Sequence, residues 1–157
     1  MAAKTDSGEK LIASNKKALH DYFILQKFEA GIALTGTEVK SLRGGKANLK
    51  DSYVTLKDGE AYLFGAHISP YSHGNLENHE PERTRKLLLH KRELEKLKKE
   101  TTEKGLTVVP LRLYFKGAKV KAEIAVVRGK KQFDKRDTEK KREADRETAA
   151  ALKTARG

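Results

Sequence analysis

The sequence predicts a mainly β protein with short helices, a small β-barrel of about six strands followed by a disordered basic tail. Three observations carry this. Short β-branched or alternating runs recur ahead of residue 128, separated by Gly, Pro and an Asp-Gly pair, as in hairpin-connected strands. Only two stretches carry a helical pattern. Beyond Val126 the core-forming sequence stops: in residues 129–157 the only large apolar side chains are Phe133 and Leu152, among ten Lys/Arg and six Asp/Glu. Such a segment buries too little surface to offset its ordering entropy. The expected division is a disordered N-terminus at 1–14, a barrel at 15–128 and a basic tail at 129–157 that turns helical on a partner. No internal repeat or second domain is visible, and 128 residues ahead of the tail suit one folded unit.

The net charge is +12, of which the tail holds +4 and the body +8. A basic body as well as a basic tail favours a polyanionic partner. Nucleic acid is favoured over membrane, because the tail lacks the wide apolar stripe of an interfacial helix. The absence of cysteine excludes disulfides and thiolate metal sites and is compatible with a reducing compartment. Residues 1–10 hold no apolar stretch like a signal peptide, and no segment nears the length of a bilayer span. The expected location is cytoplasmic and the expected state a monomer.

Taken in order, residues 1–14 are small and polar. Lys16 and Lys17 precede a run at 20–30 whose β-branched and aromatic content suits a strand, with Gly31 as a bend before Ile32-Ala33-Leu34. Thr35-Gly36-Thr37-Glu38 fits a capping box, after which Val39 and Leu42 face the core and Gly44-Gly45 ends a short helix. The glycine pair beside Arg43 and Lys46 also has the shape of a phosphate cradle, although helix termination accounts for it without a ligand. Residues 53–56 and 61–68 around Asp58-Gly59 read as a hairpin. Residues 69–83, with Pro70, Gly74, Pro81 and two histidines, read as a long loop. Arg83, Arg85 and Lys86 then lead into Leu87-Leu88-Leu89, a short buried strand or the start of a helix.

Residues 91–104 are strong helix formers, with Leu94 and Leu97 on one face and Glu95/Lys99 and Glu100/Lys104 spaced to pair. Gly105 stops that helix. Residues 106–109 and 111–115, interrupted by Pro110, pair across Lys116-Gly117 with 118–127. There Val120, Ala122, Ile124 and Val126 alternate inward, which puts Lys119 and Lys121 together on the outer face. An oligonucleotide-binding type of barrel matches this order best.

The sequence offers no catalytic constellation. Five histidines show no metal-binding spacing, and there is no phosphate-binding P-loop, serine elbow or cysteine nucleophile. No cofactor or metal is expected. Convergence of Asp21, Glu29, Glu38 and Asp51 on a divalent ion, as in a barrel nuclease, is the alternative, and no spacing rule favours it. The positive signal is distributed: Lys16, Lys17, Arg43, Arg83, Arg85, Lys86, Lys119 and Lys121 lie on segments that a barrel brings near one another. In the tail, Phe133 among Lys130, Lys131, Lys135 and Arg136 either stacks on unpaired RNA bases or anchors the tail to the barrel. Beyond it Asp137/Lys141, Glu139/Arg142 and Glu143/Arg146 are helix-compatible pairs without an apolar face.

Four strings together resemble the small protein B family of SsrA-binding proteins. They are Phe28-Glu29-Ala30-Gly31-Ile32-Ala33-Leu34, Gly36-Thr37-Glu38-Val39-Lys40-Ser41-Leu42-Arg43, Arg83-Thr84-Arg85-Lys86-Leu87-Leu88-Leu89 and Gly129-Lys130-Lys131-Gln132-Phe133-Asp134-Lys135-Arg136. The resemblance implies an oligonucleotide-binding barrel that holds the tRNA-like domain of transfer-messenger RNA and delivers it to stalled ribosomes for trans-translation. It implies RNA-binding roles for Glu29, Leu88 and Lys121. It also implies that Gly129, Lys130, Lys131, Phe133, Asp134, Lys135 and Arg136 meet the ribosomal decoding centre and the remainder lies helical in the mRNA channel. Family members vary between histidine and other aromatics at the position of Phe133, so a titrating imidazole is excluded there while stacking survives.

Overall fold

The computed structural model describes residues 9–71 and 78–130. Within them the order is β1 (Glu9–Ser14), α1 (Lys16–Asp21), β2 (Tyr22–Ile32), α2 (Gly36–Arg43), β3 (Ala47–Asn48), β4 (Tyr53–Lys57) and β5 (Glu60–Phe64). It continues with β6 (His67–Ile68), β7 (Arg85–Leu88), α3 (Lys91–Glu103), β8 (Thr107–Lys116) and β9 (Lys119–Gly129). Among the described residues seven strands form one sheet in the order β1-β8-β4-β5-β7-β2-β9. Strand β8 also pairs with β9, which closes the sheet into the expected barrel, while β3 and β6 make a separate ribbon. All these pairings are antiparallel.

Local chemistry explains the connections. Asp58 (φ 52°) and Gly59 (φ 75°) both take the left-handed conformation that a tight hairpin between β4 and β5 requires. The Thr35 side chain accepts from the Glu38 amide while the Glu38 carboxylate accepts from the Thr35 amide, the reciprocal cap expected for α2. Inside, Val120, Ala122, Ile124 and Val126 of β9 meet Ala30, Leu63, Leu87 and Leu113 in one core, into which α3 inserts the fully buried Leu97.

Several expectations are corrected. Residues 9–14 are not disordered: they form β1, paired with β8 from Glu9↔Lys116 to Ser14↔Arg112, with Ile12 and Ala13 against the core. Only three apolar residues stand in a row there, and pairing with β8 supplies what local pattern lacks. The run at 20–30 is not strand throughout, because α1 precedes it. Asn15 caps this helix, its Oδ1 accepting from the Ala18 amide at 3.2 Å and its Nδ2 donating to the Pro110 carbonyl at 2.9 Å. Ala18 packs on Val109, Leu111, Ala125 and Val127, so the far end of β9 is buried on both faces.

The bend assigned to Gly31 lies instead at Leu25, where the β2–β9 register shifts. Pro110 does not split β8 in two; a bulge between Pro110 and Arg112 lets one strand carry the proline. Leu87 is buried but Leu88 is exposed, so residues 87–89 are not a buried run. Gly129 ends β9, so the sheet continues one residue into the segment assigned to the tail, and the Lys130 amide beyond it donates to the Asp21 carbonyl of α1 at 2.8 Å. The expectations for Lys131, Phe133, Asp134, Lys135 and Arg136, and for 1–8, 72–77 and the rest of 131–157, fall outside the described residues.

Candidate nucleic-acid interface

Strand register builds the site. Leu88 of β7 stands opposite Gly31 of β2, Gly31 opposite Lys121 of β9, and Lys121 opposite Tyr114 of β8. Directly paired residues share a face, so the four form one row across the outside of the barrel. With strands about 4.8 Å apart, Leu88 and Lys121 are separated by about 10 Å of backbone. Gly31 keeps the space between them open, since a Cβ there would meet Leu88 Cβ at 3.2 Å. Leu88 is 54% exposed, unusual for a leucine on a strand. Glu29, two residues before Gly31, projects from the same face.

These side chains bound an open groove of about 620 Å³, with Glu29 on β2, Val39 on α2, Leu88 on β7, His90 before α3, and Lys119 and Lys121 on β9 among its walls. Glu29 is not a bare carboxylate. It accepts a hydrogen bond from the Tyr114 hydroxyl and one from Lys116 Nζ at 3.2 Å. The Tyr114 bond does most to hold the Glu29 carboxyl below its usual range; burial opposes it, and Lys116 and Lys121 add to it. The Tyr114 phenol is pushed well above its usual range by burial and then by Glu29. The Arg112 guanidinium covers the Tyr114 ring at 4.3 Å and bonds Glu9 at 3.4 Å and Glu123 at 3.3 Å.

The groove therefore gathers Glu29, Leu88, Lys119 and Lys121. Lys86 lies beside it, two residues before Leu88 on the outer face of β7 and 3.8 Å from Glu60. Arg43, exposed one turn beyond Val39 on α2, shares that helix face. Lys16 and Lys17 lie elsewhere: α1 packs on Ala125 and Val127, about 13 to 20 Å along β9 from Lys121, and Lys17 pairs with Asp51 at 2.6 Å.

Arg85 is a correction. It is fully buried, bonds Glu38 through Nε at 2.5 Å, and donates to the carbonyls of Ala66 and Pro81 at 2.8 and 3.0 Å. Its guanidinium is not available to a surface ligand. Arg83 reaches the same carboxylate at 2.7 Å and the Ala33 carbonyl at 3.2 Å. Burial would raise the Glu38 carboxyl, but the bonds from Arg83, the Thr35 amide and Arg85 together hold it low.

Among the described residues no three His, Asp or Glu side chains gather as a metal requires. Asp21, Glu29, Glu38 and Asp51 do not converge; they engage His20, Tyr114, the Arg83/Arg85 pair and Lys17. Sequence reasoning missed Tyr114 and Lys116. A signal existed, since Arg112, Tyr114 and Lys116 stand at i, i+2 and i+4 opposite Leu113 and Phe115, and period two puts them on the face of Lys121.

The sequence matches the SmpB protein family over residues 12–154. The chain belongs to that family. It is 61% identical over 145 residues to the SsrA-binding protein of Geotalea uraniireducens (strain Rf4), covering 92% of this chain and 96% of that one. It is 58% identical over 146 residues to the SsrA-binding protein of Geobacter sulfurreducens, covering 93% and 95%. A further SsrA-binding protein, from Carboxydothermus hydrogenoformans, is 58% identical over 145 residues, with 92% and 97% covered. Among solved structures, the fold matches a chain of tmRNA-SmpB, described in connection with the center of the bacterial ribosome. That match has a TM-score of 0.65 and 50% identity, covering 76% of this chain and 85% of that one. No helix among the described residues is long and apolar enough to cross a membrane.

Proposed function

We propose that this SmpB-family chain is a non-enzymatic adaptor that binds the tRNA-like domain of transfer-messenger RNA in the cytoplasm and delivers it to stalled ribosomes for trans-translation. The observation that carries this reading is the row Leu88–Gly31–Lys121 with Glu29 beside it, in a chain 61% identical to an SsrA-binding protein. An exposed leucine next to lysines, over a missing side chain, offers an apolar platform for a base or ribose and cations for the flanking phosphates. Lys121 and Lys119 take phosphates, Leu88 packs on the nucleotide, and Glu29 orders Lys116 and presents acceptor oxygens to a base N–H. Arg43, Lys86 and Arg83 contribute long-range field; Lys16 and Lys17 meet RNA at a separate surface. Arg85 holds the scaffold. Residues 129–136, with Gly129, Lys130, Lys131, Phe133, Asp134, Lys135 and Arg136, serve the decoding centre, and the rest of the tail the mRNA channel.

A competition assay at physiological salt tests the reading. The tRNA-like domain is expected to displace labelled transfer-messenger RNA far better than an unstructured strand of equal length. Equal displacement would make the protein a general RNA binder, and magnesium-dependent cleavage of either RNA, stopped by EDTA, would make it a nuclease.

A further inference from the structure

We propose that Tyr114 is a positioning residue of this groove, whose hydroxyl fixes the Glu29 carboxylate between Lys116 and Lys121 and so sets the array of acceptor and cations that the RNA meets. The inference rests on reading the groove as the RNA site. It starts from an oddity of burial: Tyr114 projects from the outer face, directly opposite the half-exposed Lys121, yet is only 1% exposed. Arg112 lies over its ring at 4.3 Å and is itself tied to Glu9 of β1 and Glu123 of β9. A ring held between strands and a clamped guanidinium cannot turn away, which makes its hydroxyl a donor of fixed direction.

That donor reaches one acceptor, Glu29. The Glu29 side chain stays 39% exposed, and two carboxylate oxygens have room for donors beyond Tyr114 and Lys116. The remaining capacity faces the groove, where the ligand chemistry it suits is a base edge rich in N–H, such as guanine N1–H or cytosine N4–H, with its phosphate on Lys121. Without the hydroxyl, nothing of equal direction holds the carboxylate. It is then drawn toward the lysines, neutralising the charge a phosphate must meet.

The charged groups facing Glu29 are Lys116 from β8 and Lys121 and Glu123 from β9, with Arg112 and Glu9 acting through Tyr114, and His90 and Glu93 on the groove's other wall. Since the Tyr114 bond is the largest influence lowering the Glu29 carboxyl, its removal returns that group toward its ordinary range. Binding that needs ionised Glu29 is lost as pH falls through its pKa, so the loss begins at higher pH once the hydroxyl is gone.

The test uses the full chain with Tyr114→Phe, Glu29→Gln and the double variant, titrated with the tRNA-like domain at neutral pH and down an acid series. Y114F keeps the ring but loses an internal hydrogen bond to a charged group, so its melting temperature should fall by a few degrees with the fold retained. Losing a hydrogen bond to a charged group should weaken binding about tenfold. Its acid limb should move to higher pH, and in the E29Q background, where the hydroxyl holds only a neutral amide oxygen, it should cost much less. Wild-type affinity with an unmoved acid limb, or an equal loss in the E29Q background, overturns the proposal. Should Y114F fold poorly, Arg112→Gln, which unclamps the ring, must show a smaller loss that also shrinks in the E29Q background. If wild-type protein does not prefer the tRNA-like RNA, the functional reading fails on its own. The Tyr114–Glu29 link is then decided by NMR titration of the Glu29 carboxyl without RNA, where an unchanged titration in Y114F overturns it.

Discussion

The Glu38 carboxylate is fully buried and satisfies the Thr35 amide, Arg83 and Arg85 at once. Removing its charge leaves a buried guanidinium uncompensated, so Glu38→Gln should cost about 3 to 5 kcal/mol, read as a loss of melting temperature of about 10 °C or more. The pH dependence has a defined sign. The folded-state pKa of Glu38 is lowered, so its contribution is complete above the unfolded value of about 4.3 and is lost as pH falls through the folded one. Wild type should therefore lose stability with acid below about pH 5, and E38Q should show a flatter slope there. Lys121 belongs to the ligand side of the same scale. As a phosphate contact it should, on Lys121→Ala, reduce the salt slope of RNA binding by about one unit, measured as log affinity against log salt. Residue identities of this kind were only half legible in the sequence. Lys119 and Lys121 followed from period two, whereas Arg85 looked like one more surface cation. Only the position of Glu38 on α2, facing β7, reveals that it is a core ion.

At the scale of elements, the strong local signals held: the Asp58-Gly59 hairpin, the Thr35/Glu38 cap and the helix from Lys91, whose Lys104 pairs with Glu100 at 3.3 Å. Elements that depend on distant partners did not show. Strand β1 exists because β8 offers an edge, and α1, six residues long, is too short to form alone. Its stability comes from Asn15 and the small cluster beneath Ala18. Asn15→Ala removes the cap and the bond to the Pro110 carbonyl, and should cost about 2 kcal/mol. Hydrogen exchange should localise the loss to 15–22 and the far end of β9, leaving the hairpin of β4 and β5 protected; a uniform loss would show that α1 is integral to the main core. The groove was legible only in part for a similar reason. Its residues sit on β2, β7, β8 and β9, and no sequence window contains the register that joins them.

For the whole molecule, the described strands already close on themselves through β8 and β9, the last of which ends at Gly129. Truncation after Lys130 should therefore leave the melting temperature and the affinity for the tRNA-like domain close to those of the full chain, while abolishing peptide tagging on stalled ribosomes. Equal loss of both activities would place part of the tail in the RNA site. With about six to ten phosphates neutralised, affinity should fall by roughly 10³ to 10⁵ between 50 and 200 mM salt, and the truncated protein should retain most of that slope if the groove supplies it.

The chain on the two sides of residues 72–77 is stapled together. The Ile68 amide donates to the Pro81 carbonyl at 2.9 Å, His79 bridges the Ile68 carbonyl and Thr37, and Arg85 grips Ala66 and Pro81. Fastenings at so many points fix where the two flanking segments run. Because Thr37 belongs to α2 and Ala66 adjoins β6, loosening one of these fastenings leaves the others to hold 66–71 against 78–85.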